Sequence, residues 1–86
     1  IAIDSSGNIF VTDLSNDSIR KIDSTGKVST VAGGNTGFQN GSGIDAKFNE
    51  PYNLDVDFSG NLFVSDGRNN KIRKIESTNK YFCSTW

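Results

Sequence analysis

The sequence predicts an all-β fold made of two four-stranded antiparallel units, and three observations predict it. The chain states one pattern twice, 53 residues apart: Asp4-Ser-Ser-Gly-Asn-Ile-Phe-Val-Thr-Asp13 returns as Asp57-Phe-Ser-Gly-Asn-Leu-Phe-Val-Ser-Asp66. Of the 24 positions from Asp4 to Lys27, 15 are identical at this offset, which marks an array whose units need neighbours to bury their cores. Short runs rich in Ile, Val, Phe, Leu and Tyr alternate with clusters of Gly, Asn, Asp and Ser, the pattern of strands and turns. No window carries an apolar stripe at helical period, and Gly and Asn recur too often for long helices.

In order along the chain, the first unit predicts strands over residues 1–4, 8–13, 18–23 and 28–32, and the second over 52–57, 61–66, 71–76 and 81–85. The turns between first and second strands carry Gly7 and Gly60, which supply the positive φ of a tight connection. Asp4 and Asp57 are placed to accept backbone N–H groups across those turns. Between third and fourth strands, Gly26 of the first copy becomes Asn79 in the second, and Asn is expected to keep the positive φ. In the third strands, Ile19 and Ile22, like Ile72 and Ile75, stand three apart. Strict alternation puts them on opposite faces, so either a bulge intervenes or both faces are packed. The domain organisation read from this is a first unit over 1–34, a long connection over 35–51 and a second unit over 52–86.

At 86 residues the chain is at most one small domain, and 34% hydrophobic content is low for a self-sufficient core. A net charge of -1 gives no basic field for nucleic acid or an anionic membrane, and no apolar run nears the ~20 residues that span a bilayer. One cysteine, Cys83, excludes an internal disulfide. There is no histidine, so the commonest general acid–base residue and a common metal ligand are absent. The expectation is therefore no enzyme activity, no cofactor, no metal and no nucleic-acid partner.

The run Val56-Asp57-Phe-Ser-Gly-Asn-Leu-Phe-Val-Ser-Asp66, followed by Asn69 and Ile72-Arg73, resembles the NHL-repeat family. The first copy matches through Asp4, Gly7, Asn8, Val11, Asp13, Asn16, Ile19 and Arg20. Residues 28–34, then Gly41-Ser-Gly43, Ala46-Lys-Phe48 and Pro51, resemble the long connecting loop of bacterial members. The resemblance implies β-propeller blades around a central channel. It points to a secreted or cell-surface setting and to no single activity, since the family includes ligand-binding, protein-binding, RNA-binding and lyase members. Lys80-Tyr-Phe-Cys-Ser-Thr-Trp86 departs from the repeat, matching residues 27–33 only at its lysine. Two blades fall short of the roughly four to eight of a propeller, so completion is expected from a longer chain, a partner, or copies of this one, with a homotrimer giving six blades. The chain does not begin with Met, which suits a processed or partial product.

The expected ligand-binding residues are Asn35, Phe38, Gln39, Asn40 and Asp45 in the long connection, with Asn16, Arg68 and Asn69 from the loops at 14–17 and 67–70. Amides with an aromatic ring suit a glycan, a peptide or a protein surface. A structural role competes, in which Ala46, Phe48 and Pro51 tuck the connection onto the second unit. The expected blade-interface residues are Ile19, Ile22, Ile72, Ile75, Phe82 and Trp86. Asp4, Asp13, Asp57 and Asp66 sit singly at strand ends and are expected to cap turns rather than bind calcium. Arg20-Lys21 and Arg73-Lys74 are expected on a solvated edge.

Overall fold

Both copies of the Asp-x-Ser-Gly-Asn turn close in the same way. Gly7 and Gly60 take φ of 85° and 87°, a region costly for any residue with a Cβ. Asp4 Oδ1 accepts the N–H groups of Ser6 and Asn8 at 2.9 Å, and Asp57 Oδ1 those of Ser59 and Asn61 at 2.9 Å. A further pair of turns, Leu14–Asn16 and Gly67–Asn69, adopts 3-10 geometry and exits through left-handed Asp17 and Asn70.

The computed structural model describes all 86 residues. It is all-β, with no α-helix and no helix long and apolar enough to cross a membrane. The first sheet has the order β1-β2-β3-β4 over Ala2–Ile3, Ile9–Asp13, Ser18–Ile22 and Val28–Gly33. The second has the order β5-β9-β8-β7-β6, where β5 is Gly41–Ser42, β6 Pro51–Val56, β7 Leu62–Asp66, β8 Lys71–Glu76 and β9 Phe82–Thr85. All neighbours in both sheets are antiparallel.

Three expectations need correction. The connection over 35–51 is not wholly a loop: Gly41–Ser42 forms β5, which pairs with Cys83 and Phe82 of β9 and gives the second sheet five strands. Asn79 does not take the role of Gly26. Ser77–Asn79 is a 3-10 turn, so the left-handed positions move downstream to Lys80 and Tyr81, at φ 53° and 52°. That shift also starts β9 at Phe82 rather than Tyr81.

The two sheets pack through different faces. In β2 and β3, Phe10 and Ile19 point toward the second sheet and are buried. In β6, β7 and β8, Leu54, Leu62, Val64 and Ile75 point toward the first, and one core cluster joins these residues to Ala2, Val31, Ala32, Ala46, Phe48 and Cys83. Across the interface the Thr12 hydroxyl donates to the carbonyl of Tyr52 at 3.1 Å. The isoleucines of each pair lie on opposite faces of their strand, and within this chain only one of the two faces is packed. Pairing between β7 and β8 is continuous, and Ile75 is buried while Ile72 lies on the opposite, exposed face. In the first sheet the β2–β3 register is also continuous, and the only irregularity is a shift between Ile19 and Arg20 on the β4 side.

Candidate functional site

Residues 33–49 fold back on themselves and close over the end of the interface. The Gly37 N–H donates to the Phe48 carbonyl at 2.9 Å, and the Lys47 N–H to the Gln39 carbonyl at 2.9 Å. Asp17 ties down both ends of the segment. Its carboxylate accepts the Thr36 hydroxyl at 2.5 Å and the Glu50 N–H at 2.7 Å, and its carbonyl accepts the Gly34 N–H at 3.0 Å. Gly33 is required where the segment leaves β4, because at φ 83° a Cβ would collide with the Asp17 carbonyl and the Phe48 ring. Ala46, Phe48 and Pro51 are buried, so this segment is anchored as the structural role requires.

At the centre of the closed segment is Arg73, whose side chain is 0% exposed and paired with the equally buried Asp66 at 2.7 Å. Arg73 Nη1 also donates to the Lys47 carbonyl at 2.8 Å, and Nη2 to the Gln39 carbonyl at 2.7 Å and to Asn40 Oδ1 at 3.2 Å. The guanidinium carbon lies 4.8 Å from the ring centroids of both Phe38 and Phe48. Asp66 is satisfied in turn by the Asn49 N–H at 2.8 Å and Asn69 Nδ2 at 2.7 Å. A buried charge this well paired and hydrogen-bonded avoids the penalty of an isolated ion. The expectation that both basic pairs face solvent is therefore wrong for Arg73: its stem crosses the face that packs on the first sheet, and its head is enclosed by the long connection.

This places the expected ligand-binding residues in two groups. Phe38, Gln39, Asn40 and Asn69 surround the Asp66–Arg73 pair, with Asn69 also donating to the Gly37 carbonyl at 2.9 Å. Asp45 contributes its carbonyl to Gln39 Nε2 at 2.7 Å. Apart from the half-buried Asn69, all of them are exposed: Phe38, Gln39, Asn40 and Asp45 on the outer side of the segment, and Asn16, Asn35 and Arg68, the last paired with Glu50. The loops at 14–17, 35–37, 49–50 and 67–69 converge through Asp17, Asn49 and Asn69 at one end of the sheets. No three histidine, cysteine or carboxylate groups come close enough to hold a metal ion.

Among the expected interface residues, Ile19 and Ile75 lie buried between the sheets, and Ile22 is half-buried on the far face of the first. Ile72, Phe82 and Trp86 are exposed, with Trp86 resting edge-on against Phe63 at 5.4 Å between ring centroids. Phe63, Ser65, Ile72, Asn53 and Asp55 line an open groove of about 250 Å³ on the outer face of the second sheet. Sequence reasoning missed Asp17 and the burial of Asp66 and Arg73. Asp17 carried a signal, since its repeat counterpart is Asn70, a change located where the long connection attaches.

Asp4 and Asp57 cap their turns as expected, but Asp13 and Asp66 do not. Neither carboxylate accepts a backbone N–H of the 3-10 turn that follows it, Asp66 being drawn to Arg73 and Asp13 to the Asn16 side chain. Burial acts to raise the pKa of Asp4, and hydrogen bonds from the Asn8 side chain and the Asn8 and Ser6 N–H groups together outweigh it, leaving the carboxyl below its ordinary value. Asp23 is lowered first by the Thr25 hydroxyl, and Asp57 first by the Asn61 N–H. Burial pushes the Cys83 thiol up to about 11, although the Arg73 charge opposes it, so the sulfur stays protonated and unreactive near neutrality.

No family model matches the chain. Protein SUPPRESSOR OF QUENCHING 1, chloroplastic, from Arabidopsis thaliana is 42% identical over 72 residues, which cover 81% of this chain and 7% of that protein. The crystal structure of a structural-genomics protein of unknown function from Bacteroides thetaiotaomicron superposes with a TM-score of 0.82 at 27% identity, over 92% of this chain and 20% of that one. In both, the matching region is a small part of a much longer chain.

Proposed function

We propose that this chain is a two-blade unit of an NHL-type β-propeller and acts as a non-catalytic binding or interaction module once further units close the ring. The observation that carries this is the inequivalence of the packed faces. The first sheet contributes the face with Phe10 and Ile19, and the second contributes the face with Leu62, Val64 and Ile75. Their repeat counterparts, Phe63 and Ile72 on one side and Ile9, Val11 and Ile22 on the other, are left partly or wholly exposed. Such a unit can add neighbours head to tail, because the free face of the second sheet is the same kind of surface as the face the first already uses.

Self-completion is the simplest route, with three copies giving six blades. Native mass spectrometry of the chain should show a discrete ring, and a folded monomer at every concentration would overturn self-assembly. A second reading, a unit within a longer propeller, is favoured by the small share of each relative that the chain spans. The mass of the protein isolated from its natural source separates the two. Ligand recognition falls to the loop end, through Asn35 and Arg68, whose side chains are exposed there. A glycan and peptide array checks this: binding that Arg68→Ala and Asn35→Ala remove without lowering the melting temperature supports it, and no binder, or a binder indifferent to both changes, overturns it.

A further inference from the structure

We propose that Asp13, Asn16 and Arg20 form a second receptor for a backbone loop of the same chemistry as residues 37–49, supplied by another unit of this repeat. The inference rests on the repeat-unit reading above and names what seats on the free face of the first sheet.

Asp66, Asn69 and Arg73 are the 53-residue counterparts of Asp13, Asn16 and Arg20, and both triads make the same internal bonds. Asn16 Nδ2 donates to Asp13 Oδ2 at 2.9 Å, as Asn69 Nδ2 does to Asp66 Oδ2 at 2.7 Å. Arg20 Nη1 lies 3.5 Å from Asp13 Oδ2, as Arg73 Nη1 lies 2.7 Å from Asp66 Oδ2. Each guanidinium has its Nε enclosed without a hydrogen-bond partner, so both lie against their own sheet in the same pose. The receptor half is therefore assembled before anything occupies it.

In the second sheet, the occupant supplies two main-chain carbonyls and one side-chain oxygen to the guanidinium, two phenyl rings flanking it, and a main-chain N–H to the aspartate. Around Arg20 none of these is present, and the pair stays 35% and 27% exposed. Its unused donors on Arg20 and unused acceptor on Asp13 ask for carbonyls and an N–H at matching positions. Only a polypeptide segment offers both, together with aromatic cover for the cation. Ile9, Val11 and Ile22 continue the surface beside the triad, as Leu62, Val64 and Ile75 do beside Arg73.

The test adds a synthetic peptide of residues 33–51 to the intact 86-residue chain and follows the Arg20 Nε–H and Asn16 side-chain resonances by NMR. A saturable shift at both is expected, absent with Arg20→Met. A peptide carrying Phe38→Ala should bind about tenfold more weakly. Because that change lies in the peptide, the chain's own folding is untouched. Shifts confined to Arg73, or none at millimolar peptide, would overturn the receptor. The titration is run below the association concentration, where the free face of the first sheet is open, so silence there refutes the receptor alone, and native mass spectra at higher concentration that show no rings refute self-assembly alone.

Discussion

The chain holds the same aspartate–arginine pair twice, once enclosed and once open. Asp66 and Arg73 sit 2.7 Å apart at 0% exposure, while Asp13 and Arg20 sit 3.5 Å apart with a third of the surface wet. Their sequence context is nearly identical, so the residues themselves do not decide the difference. What decides it is the segment at 37–49, which covers one pair and has no counterpart over the other. The lesson is that burial in a repeat protein belongs to the junction between units, and an unchanged motif can be a core element in one copy and a surface element in the next.

The largest test of this contrast removes each arginine. Arg73→Ala should cost about 3–5 kcal/mol, because it leaves Asp66 buried and unpaired, whereas Arg20→Ala should cost at most about 1 kcal/mol. Urea midpoints measure both, and a double-mutant cycle with Asp66→Ala and Asp13→Ala should give a large coupling for the first pair and almost none for the second. Equal costs would mean that enclosure does not set the energetics of the pair.

The aromatic counterparts come next. Phe10 is buried between the sheets and Phe63 is half-buried on the free face. Phe10→Ala should destabilise by about 3–5 kcal/mol, and Phe63→Ala by less than half as much in the monomer. In an assembled ring the two costs should converge, so measuring both below and above the association concentration sharpens the comparison.

A smaller effect is expected from the loop clamp. Asp17→Ala strips the Thr36 hydroxyl and the Glu50 N–H of their acceptor and should cost about 2 kcal/mol, while its exposed counterpart Asn70→Ala should stay near 0.5 kcal/mol. Thermal melts read both, and hydrogen exchange at Glu50 should accelerate in the first variant only.

Smallest of all is the acid response of the turns, which both copies share. Asp4, Asp23 and Asp57 are lowered from an ordinary 3.8, so the folded state binds protons less readily than the unfolded chain. The stability they contribute is present above 3.8 and lost as pH falls through their lower folded values. Asp4→Asn combined with Asp57→Asn should flatten this acid limb, and unchanged acid sensitivity would show that other carboxylates govern it.

Most of the strand plan was legible because it follows from local signals: alternation, turn glycines and aspartate caps act within a few residues. All eight expected strands keep their place within about one residue, and the last begins one later because of the 3-10 turn at Ser77–Asn79. The site was less legible. Phe38 and Asn40 read as ligand-binding candidates and are exposed, yet each also meets Arg73 across more than thirty residues. Nothing local distinguishes an arginine that will be enclosed from one that will not, as the identical Ile-Arg-Lys-Ile runs demonstrate. The strand β5 escaped notice for the same reason, since two residues acquire strand character only through β9, some forty positions away.

That pairing of Gly41 with Cys83 sets an order of events during folding. The first sheet can form from contacts among neighbouring segments, but residues 37–49 take their most distant partners from β8, β9 and the 67–69 turn. Closing so long a span carries a chain-entropy cost that nearest-neighbour hairpins avoid, so it comes late. On a chain emerging from its N-terminus, the Phe10 surface stays uncovered until the strands of the second sheet that carry Leu54, Leu62, Val64 and Ile75 have appeared, and this interval is when the nascent protein is most exposed to capture by other chains.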